Sequence, residues 1–152
     1  MKYINEIKVI SKICEDAGMI LDSPSKMVQL WNKAVATANW YDAEKEAVVV
    51  FNLNTRLGVK NWQMVSVGTI NECAVTPREI LRSAVASLAY GVVIMHNHPS
   101  GNPAPSLADL EITRRTRDGG KTLAIQTLDH IIIGDGKNGN AEFYSFRDAG
   151  YL

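Results

Sequence analysis

The sequence predicts an α/β layer fold, and three observations carry that expectation. Two short runs, Ala47 to Leu53 and Val92-Val93-Ile94-Met95, are nearly continuous in apolar, β-branched residues, as strands covered on both faces are. Pro77-Arg78-Glu79 opens a stretch in which Ile80, Leu81, Ala84, Val85 and Leu88 recur at helical spacing, with Pro in the first turn where its missing N–H costs nothing. Ser106 to Arg117 reads as a further helix after the second strand, and strands alternating with helices build a sheet with helices packed on it. With 152 residues, 46% of them hydrophobic, the chain has room for one such domain with its own core and none for a second full one.

In chain order, Ile4, Ile7, Ile10, Ile13, Cys14 and Ala17 fall at three- and four-residue steps, the pattern of a packing helix or arm. An N-terminal arm or helix is therefore expected over 1–24 and the domain over 25–152. Ser23-Pro24-Ser25 starts a helix whose apolar side holds Met27, Val28, Leu30, Trp31, Val35 and Ala38, with Trp31 and Trp40 read as packing residues. After the strand at 47–53 and a turn over Asn52 to Gly58, Val59 to Thr69 supplies a second and a third strand ending at Gly68. The helix opened by Pro77 closes near Gly91. The helix from Ser106 is expected to stop at Gly119-Gly120, with Thr122 to Thr127 and His130 to Ile133 forming two more strands. Gly134 to Gly139 fits G-x-G-x-x-G and follows a strand, but the thirteen residues after it leave no room for the helix, strand and acid of a dinucleotide site. A hairpin turn between two strands is the reading adopted.

Sixteen Lys and Arg balance sixteen Asp and Glu, which excludes the global positive field that draws a protein to nucleic acid or anionic membrane. The basic cluster Arg114, Arg115, Arg117 and Lys121 sits near a helix C-terminus; a solvated face complementing the helix dipole competes there with a contact to phosphate or an acidic peptide. Cys14 and Cys73 cannot form a disulfide framework, so they read as ordinary buried thiols in a reducing, cytoplasmic compartment. The charged N-terminus does not read as a signal peptide. The run Ala84 to Met95 is too short to span a bilayer. A soluble, unexported protein without a membrane partner is expected; nothing indicates its oligomeric state.

The segment that carries chemistry runs from Met95 to Asp109 and contains two of the three histidines in the chain. His96 and His98 stand at the end of an apolar strand, where a spacing of two sends both imidazoles to one face. A turn from Pro99 to Pro105, stiffened by three prolines and loosened at Gly101, reverses the chain and places Asp109 in the first turn of the next helix. Two imidazoles and one carboxylate suit zinc, with the fourth position left to water as in catalytic sites. The competing reading is a capping box, Ser106-x-x-Asp109, that merely starts the helix; the two roles are compatible. A metal hydrolase also needs a base. Asp42, Glu44 and Glu46 all precede the first strand, Glu46 nearest to it, and spacing alone does not choose among them. His130 is read as a hydrogen-bonded residue at a sheet end rather than a partner of the metal ligands.

His96-x-His98-Pro99, five residues, then Pro105-Ser106-x-x-Asp109 resembles the JAMM motif of the JAB/MPN metalloprotease superfamily, with every fixed position present. The flanking segments Val65 to Thr69, Pro77-Arg78-Glu79 and Leu128 to Gly134, with Asn97 and Ser100-Gly101 inside the motif, resemble its RadC-like branch over roughly Ser25 to Phe146. The resemblance implies a JAB/MPN three-layer sandwich similar in plan to the cytidine deaminases, with a mixed, curved sheet flanked by helices. It implies that His96, His98 and Asp109 hold one Zn²⁺ per chain, that Glu46 hydrogen-bonds the metal's water as acid and base, and that Ser106 helps stabilise the oxyanion. The implied reaction is zinc-dependent hydrolysis of a peptide or isopeptide bond in a peptide or protein substrate.

About 24 residues precede the match, too few for the helix-hairpin-helix region that RadC proteins carry ahead of this domain, so a DNA-repair role is expected less here than in longer relatives. The alternative from another class is a DNA-associated or protein-binding module with a structural or latent metal site; it calls for a basic surface that the composition does not show. Nucleobase deamination shares the fold plan but requires a Pro-Cys-x-x-Cys ligand pair that this chain lacks.

Overall fold

The computed structural model describes residues 18–68 and 75–152. The expected arm over 4–17 and both cysteines lie outside the described residues. A short helix, α1 (Pro24–Leu30), runs on into a π-helical turn at Trp31–Val35. There follow β1 (Glu46–Leu53), β2 (Val59–Gly68), α2 (Pro77–Ala86), β3 (Gly91–Asn97), α3 (Leu107–Thr122), β4 (Gln126–Ile133) and β5 (Phe143–Ser145). The strands form one mixed sheet in the order β2-β1-β3-β4-β5, antiparallel except for the β3–β4 pair that α3 connects, since only a crossover can join parallel neighbours.

Alternation along the strands gives each face its own layer. Val49, Phe51, Val93, Met95 and Ile131 pack with Leu21, Met27, Leu30, Trp31 and Val35 on the α1 side. Val48, Val50, Val92 and Ile94 pack with Ile80, Leu81 and Ala84 of α2 and with Ile112 of α3 on the other. The result is the three-layer α/β sandwich. Trp31 and Trp40 are packing residues as expected: Trp31 meets Tyr41 edge-on at 5.7 Å, and Trp40 lies 6.3 Å from Trp62. Residues 18–21, ahead of the expected domain start, bond to the β1–β2 turn through Gly18 N–H to Val59 and Leu21 N–H to Leu57, and Leu21 is buried. Among the described residues no helix is long and apolar enough to cross a membrane.

Several element boundaries differ from expectation, and their causes are local. Val59–Gly68 is one strand, kept continuous against β1 by two register shifts. Helix α2 ends at Ala86, well before Gly91, because Leu88 takes the left-handed position (φ +51) while Ala89 N–H reaches Ala84 C=O and Leu88 N–H reaches Val85 C=O. That is a Schellman motif without its customary glycine, and Leu88 is 87% exposed. Helix α3 passes through Gly119-Gly120 and ends in the same motif, with Ala124 at φ +56 and Ile125 N–H on Gly120 C=O. Gly120 does not stop the helix: a Cβ there would lie 2.5 Å from the Ile125 carbonyl that folds back on it. Leu123 to Ile125 are therefore turn, and the two strands expected between Thr122 and Ile133 are the single strand β4. The Gly134–Gly139 segment lies in the β4–β5 connection, as expected.

Candidate metal centre

The strand ends on the α2/α3 face converge. Val48 pairs with His96 across β1 and β3, so Glu46, one pleat before Val48, falls on the same face and opposite His98 when that register continues. His98 lies just past the end of β3, yet its N–H still bonds Ile133 C=O of β4, which keeps the strand geometry one residue further. Gly101 (φ +80) turns the motif loop: a Cβ would meet the Asp135 carboxylate at 2.2 Å, and Asp135 N–H holds the Gly101 carbonyl. The expected hairpin thus also braces the loop that returns the chain to α3.

At the start of α3 the capping box is complete. Ser106 N–H and Oγ–H donate to Asp109 Oδ2 at 2.8 and 2.7 Å, and Asp109 N–H donates to Ser106 Oγ at 3.1 Å. The same carboxylate meets both histidines, with His96 Nε2 3.2 Å from Oδ1 and His98 Nε2 3.4 Å from Oδ2; the two ring nitrogens are 3.1 Å apart. Capping and convergence therefore coexist at Asp109. A tetrahedral zinc shell with N and O ligands at about 2.0–2.2 Å has ligand–ligand edges of about 3.3–3.6 Å, so each of these separations is close to a ligand–ligand distance in such a shell, although the two His–Asp distances run to different carboxylate oxygens. His96 is 2% exposed and Asp109 8%, with His98 half-buried. The three residues form a group able to hold a metal ion.

Each imidazole is oriented through its other nitrogen. His98 Nδ1 lies 2.9 Å from the Asn102 carbonyl, to which it donates, leaving Nε2 for the cluster. His96 Nδ1 lies 2.8 Å from His130 Nε2, and His130 Nδ1 lies 2.6 Å from Thr113 Oγ1. Thr113 Oγ–H in turn donates to the Asp109 carbonyl at 2.6 Å. The terminal step fixes the direction of the chain: Thr113 gives its proton to a carbonyl, so it accepts from His130, which accepts from His96. His130 is thus not merely a sheet-end residue, as its position beside Asp129 suggested, but the buried partner of His96, stacked on Phe146 at 4.7 Å. Burial, reinforced by the neighbouring His96 charge, pushes its pKa well below the ordinary value and keeps it neutral.

Burial opposes the Asp109 charge, but its contacts with the His96 and His98 imidazoles and the hydrogen bond from Ser106 hold its carboxyl far below the usual range. The bond to Asp109 raises the His98 pKa against desolvation, with smaller contributions from the Asn102 carbonyl and the Asp109 and Glu46 charges. Of the three candidate acids, Glu46, the first residue of β1, lines the cleft with His96, His98 and Asp109; Asp42 pairs with Lys45 at 3.4 Å, and Glu44 is exposed. The sequence marked Asn97 only as a residue of the RadC-like resemblance and gave it no structural role, yet it brackets Glu46. Its Oδ1 accepts from Ala47 N–H at 2.9 Å and its Nδ2 donates to Lys45 C=O at 3.0 Å. Its place between two histidines on a strand was the available signal, since it must point to the opposite face.

Residues 21–151 match the family model of the RadC-like JAB domain. The chain belongs to this family. It is 31% identical over 150 residues to a UPF0758 protein of Methanococcoides burtonii, covering 97% of this chain and 63% of that relative. It is 45% identical over 111 residues to a UPF0758 protein of Geobacter sulfurreducens, covering 73% of this chain and 46% of the relative, and 43% identical over 108 residues to one of Bacillus licheniformis, covering 71% and 46%. The chain thus spans about half the length of the curated relatives it matches. The matched RadC-like region contains the whole His-His-Asp group, Glu46 and Ser106.

Proposed function

We propose that this RadC-like domain is a zinc-dependent hydrolase of the JAMM type that cleaves a peptide or isopeptide bond of a cytoplasmic peptide or protein. The observation that carries the reading is the convergence of two imidazole nitrogens, 3.1 Å apart, on the Asp109 carboxylate, with Oδ1 3.2 Å from His96 Nε2 and Oδ2 3.4 Å from His98 Nε2, in a cleft of about 930 Å³ beside Glu46. It is supported by the superfamily, which includes metallohydrolases. His96, His98 and Asp109 would hold the ion, and a zinc ion so held supplies an acidified water and polarises a substrate carbonyl.

The other roles belong to the chain itself. Glu46, its backbone bracketed by Asn97, takes a proton from the attacking water and returns it to the leaving amine, so one carboxylate serves both halves of the reaction. Ser106 exchanges its bond to Asp109 for one to the developing oxyanion. The chain from His96 through His130 to Thr113 keeps the His96 proton on Nδ1 and its Nε2 lone pair toward the cleft.

Metal content tests the reading: elemental mass spectrometry on protein purified without a metal-affinity tag or chelator, wild type beside His98→Ala. About one zinc per chain, lost in the variant, is the expected result. Glu46→Gln is then expected to keep zinc and lose hydrolysis in a peptide screen. No metal in the wild type after zinc is supplied would reduce the motif to a helix cap with two histidines beside it.

A further inference from the structure

We propose that the cleft selects substrates bearing a carboxylate two or three residues from the cleaved bond, and that Arg115 is the group that reads it. This rests on the function proposed above and adds a substrate class to it. Ala108, Ile112 and Arg115 all line the cleft and follow one another at four- and three-residue steps along α3, so they share the face that overlooks the centre. Arg115 lies six residues beyond Asp109, about 9 Å along the helix axis. An extended peptide covers that distance in two to three residues.

The wall beside this path is apolar. Helix α3 runs back along the sheet after the β3 strand end, so the direction from Asp109 to Arg115 is also the direction from His96 to Ile94. Ile94 lies one pleat from His96, and Val48, Ile80 and Ile112 join it in the lining. The substrate segment is therefore held at its ends by polar groups and along its length by aliphatic ones, the usual build of a small-molecule or peptide pocket.

The charge that closes the cleft is uncommitted. Arg114 is forked on Glu111 at 2.9 and 3.1 Å and lies 3.5 Å from Asp118; Arg117 bonds the Tyr151 carbonyl at 3.0 Å and lies 3.4 Å from Asp118. Glu111, the acid on the same wall, is thereby engaged by Arg114, and the other cleft acids, Glu46 and Asp109, belong to the metal end. Arg115 is exposed and has no acid or carbonyl partner among the described residues. A guanidinium in that state fits a carboxylate with two parallel hydrogen bonds. The carboxylate can be a chain terminus or an Asp or Glu side chain.

Three probes separate these cases: acetyl-Leu-Leu-Gly with a free carboxylate, the same peptide amidated, and acetyl-Leu-Leu-Glu amidated, each titrated into the zinc-loaded full chain and followed by amide chemical shifts. One or both acidic probes are expected to bind about ten-fold tighter than the uncharged one, a difference worth one engaged charge. A preference for the first points to a terminal carboxylate, and for the third to a side chain. Arg115→Gln is expected to erase the preference, Arg115→Lys to keep part of it, and Arg114→Gln to leave it intact. Equal binding of all three probes, no binding at all, or a preference that survives Arg115→Gln would overturn the proposal. Zinc measured on the same samples keeps the two failures apart, because loss of the metal centre would show in stoichiometry and loss of carboxylate reading only in the Arg115 comparison.

Discussion

Along β1 and β3 successive residues go to opposite faces, and the two faces differ in composition. Val49, Phe51, Val93 and Met95 lie on the side closed by aliphatic residues of α1 and by an aromatic row from the π-turn, the residues after it and β2, in which Trp31 meets Tyr41, Tyr41 meets Trp40 and Trp40 meets Trp62. Their sequence neighbours Val48, Val50 and Ile94 meet smaller aliphatic residues of α2 and α3, and at the strand ends that face turns polar through Glu46, His96 and His130. One face is closed by volume. The other stops short, and the cleft is the space that remains. The contrast shows how a single set of strands separates stability from chemistry: a buried polar group is costly unless it finds partners, and the chain His96–His130–Thr113–Asp109 supplies them at the cleft.

The comparison can be broken most severely on the aromatic side. Phe51→Ala is expected to cost about 3–5 kcal/mol in denaturant unfolding, while the chains that remain folded bind zinc with unchanged stoichiometry. A variant that lost zinc without losing stability would show that the faces are not separate. On the polar side, His130→Leu is expected to weaken zinc binding about 10–100-fold, measured by competition with a chelating dye, since the His96 Nδ1–H loses its acceptor. His130→Gln, which keeps an acceptor near that nitrogen, is expected to recover part of the loss. Equal affinity in all three proteins would return His130 to a packing role.

A smaller effect is expected at the junction of the two functions. Ser106→Ala removes a helix cap, a loss of about 1 kcal/mol and a fall of about 2–4 °C in thermal midpoint, read by calorimetry on the metal-free protein. No change in midpoint would mean that the capping box contributes nothing beyond orienting Asp109. The smallest effect concerns protons. Because its bond to Asp109 raises the His98 pKa above the ordinary 6.5, and zinc requires the neutral ring, apparent zinc affinity is expected to be full at high pH and to fall as pH drops, beginning above 6.5. Glu46→Gln removes one of the charges that raise His98 and is expected to move that onset downward. An onset below the ordinary histidine range in the wild type would contradict the pairing of His98 with Asp109.

Periodicity and residue type were enough for the α/β class, for the helices opened by Pro24, Pro77 and Ser106, and for the convergence of His96, His98 and Asp109, because these depend on spacing along a few consecutive turns or pleats. A strand period of two and a chain reversal through three prolines leave little else for those side chains to do. The ends of α2 and α3 were decided by tertiary contact: Leu88 and Ala124 occupy left-handed positions that sequence assigns to glycine, and Gly120 is small because the Ile125 carbonyl rests on it. Spacing alone left Asp42, Glu44 and Glu46 open and only the resemblance pointed to Glu46; the β1–β3 register supplies the physical reason it lines the cleft, and Asn97 as the clamp on that segment required knowledge of which residues lie across the sheet. His130 stands 34 residues from His96 in the chain and 2.8 Å from it in space. Local sequence carries no trace of a contact made only when two parallel strands, separated by a helix, are brought side by side.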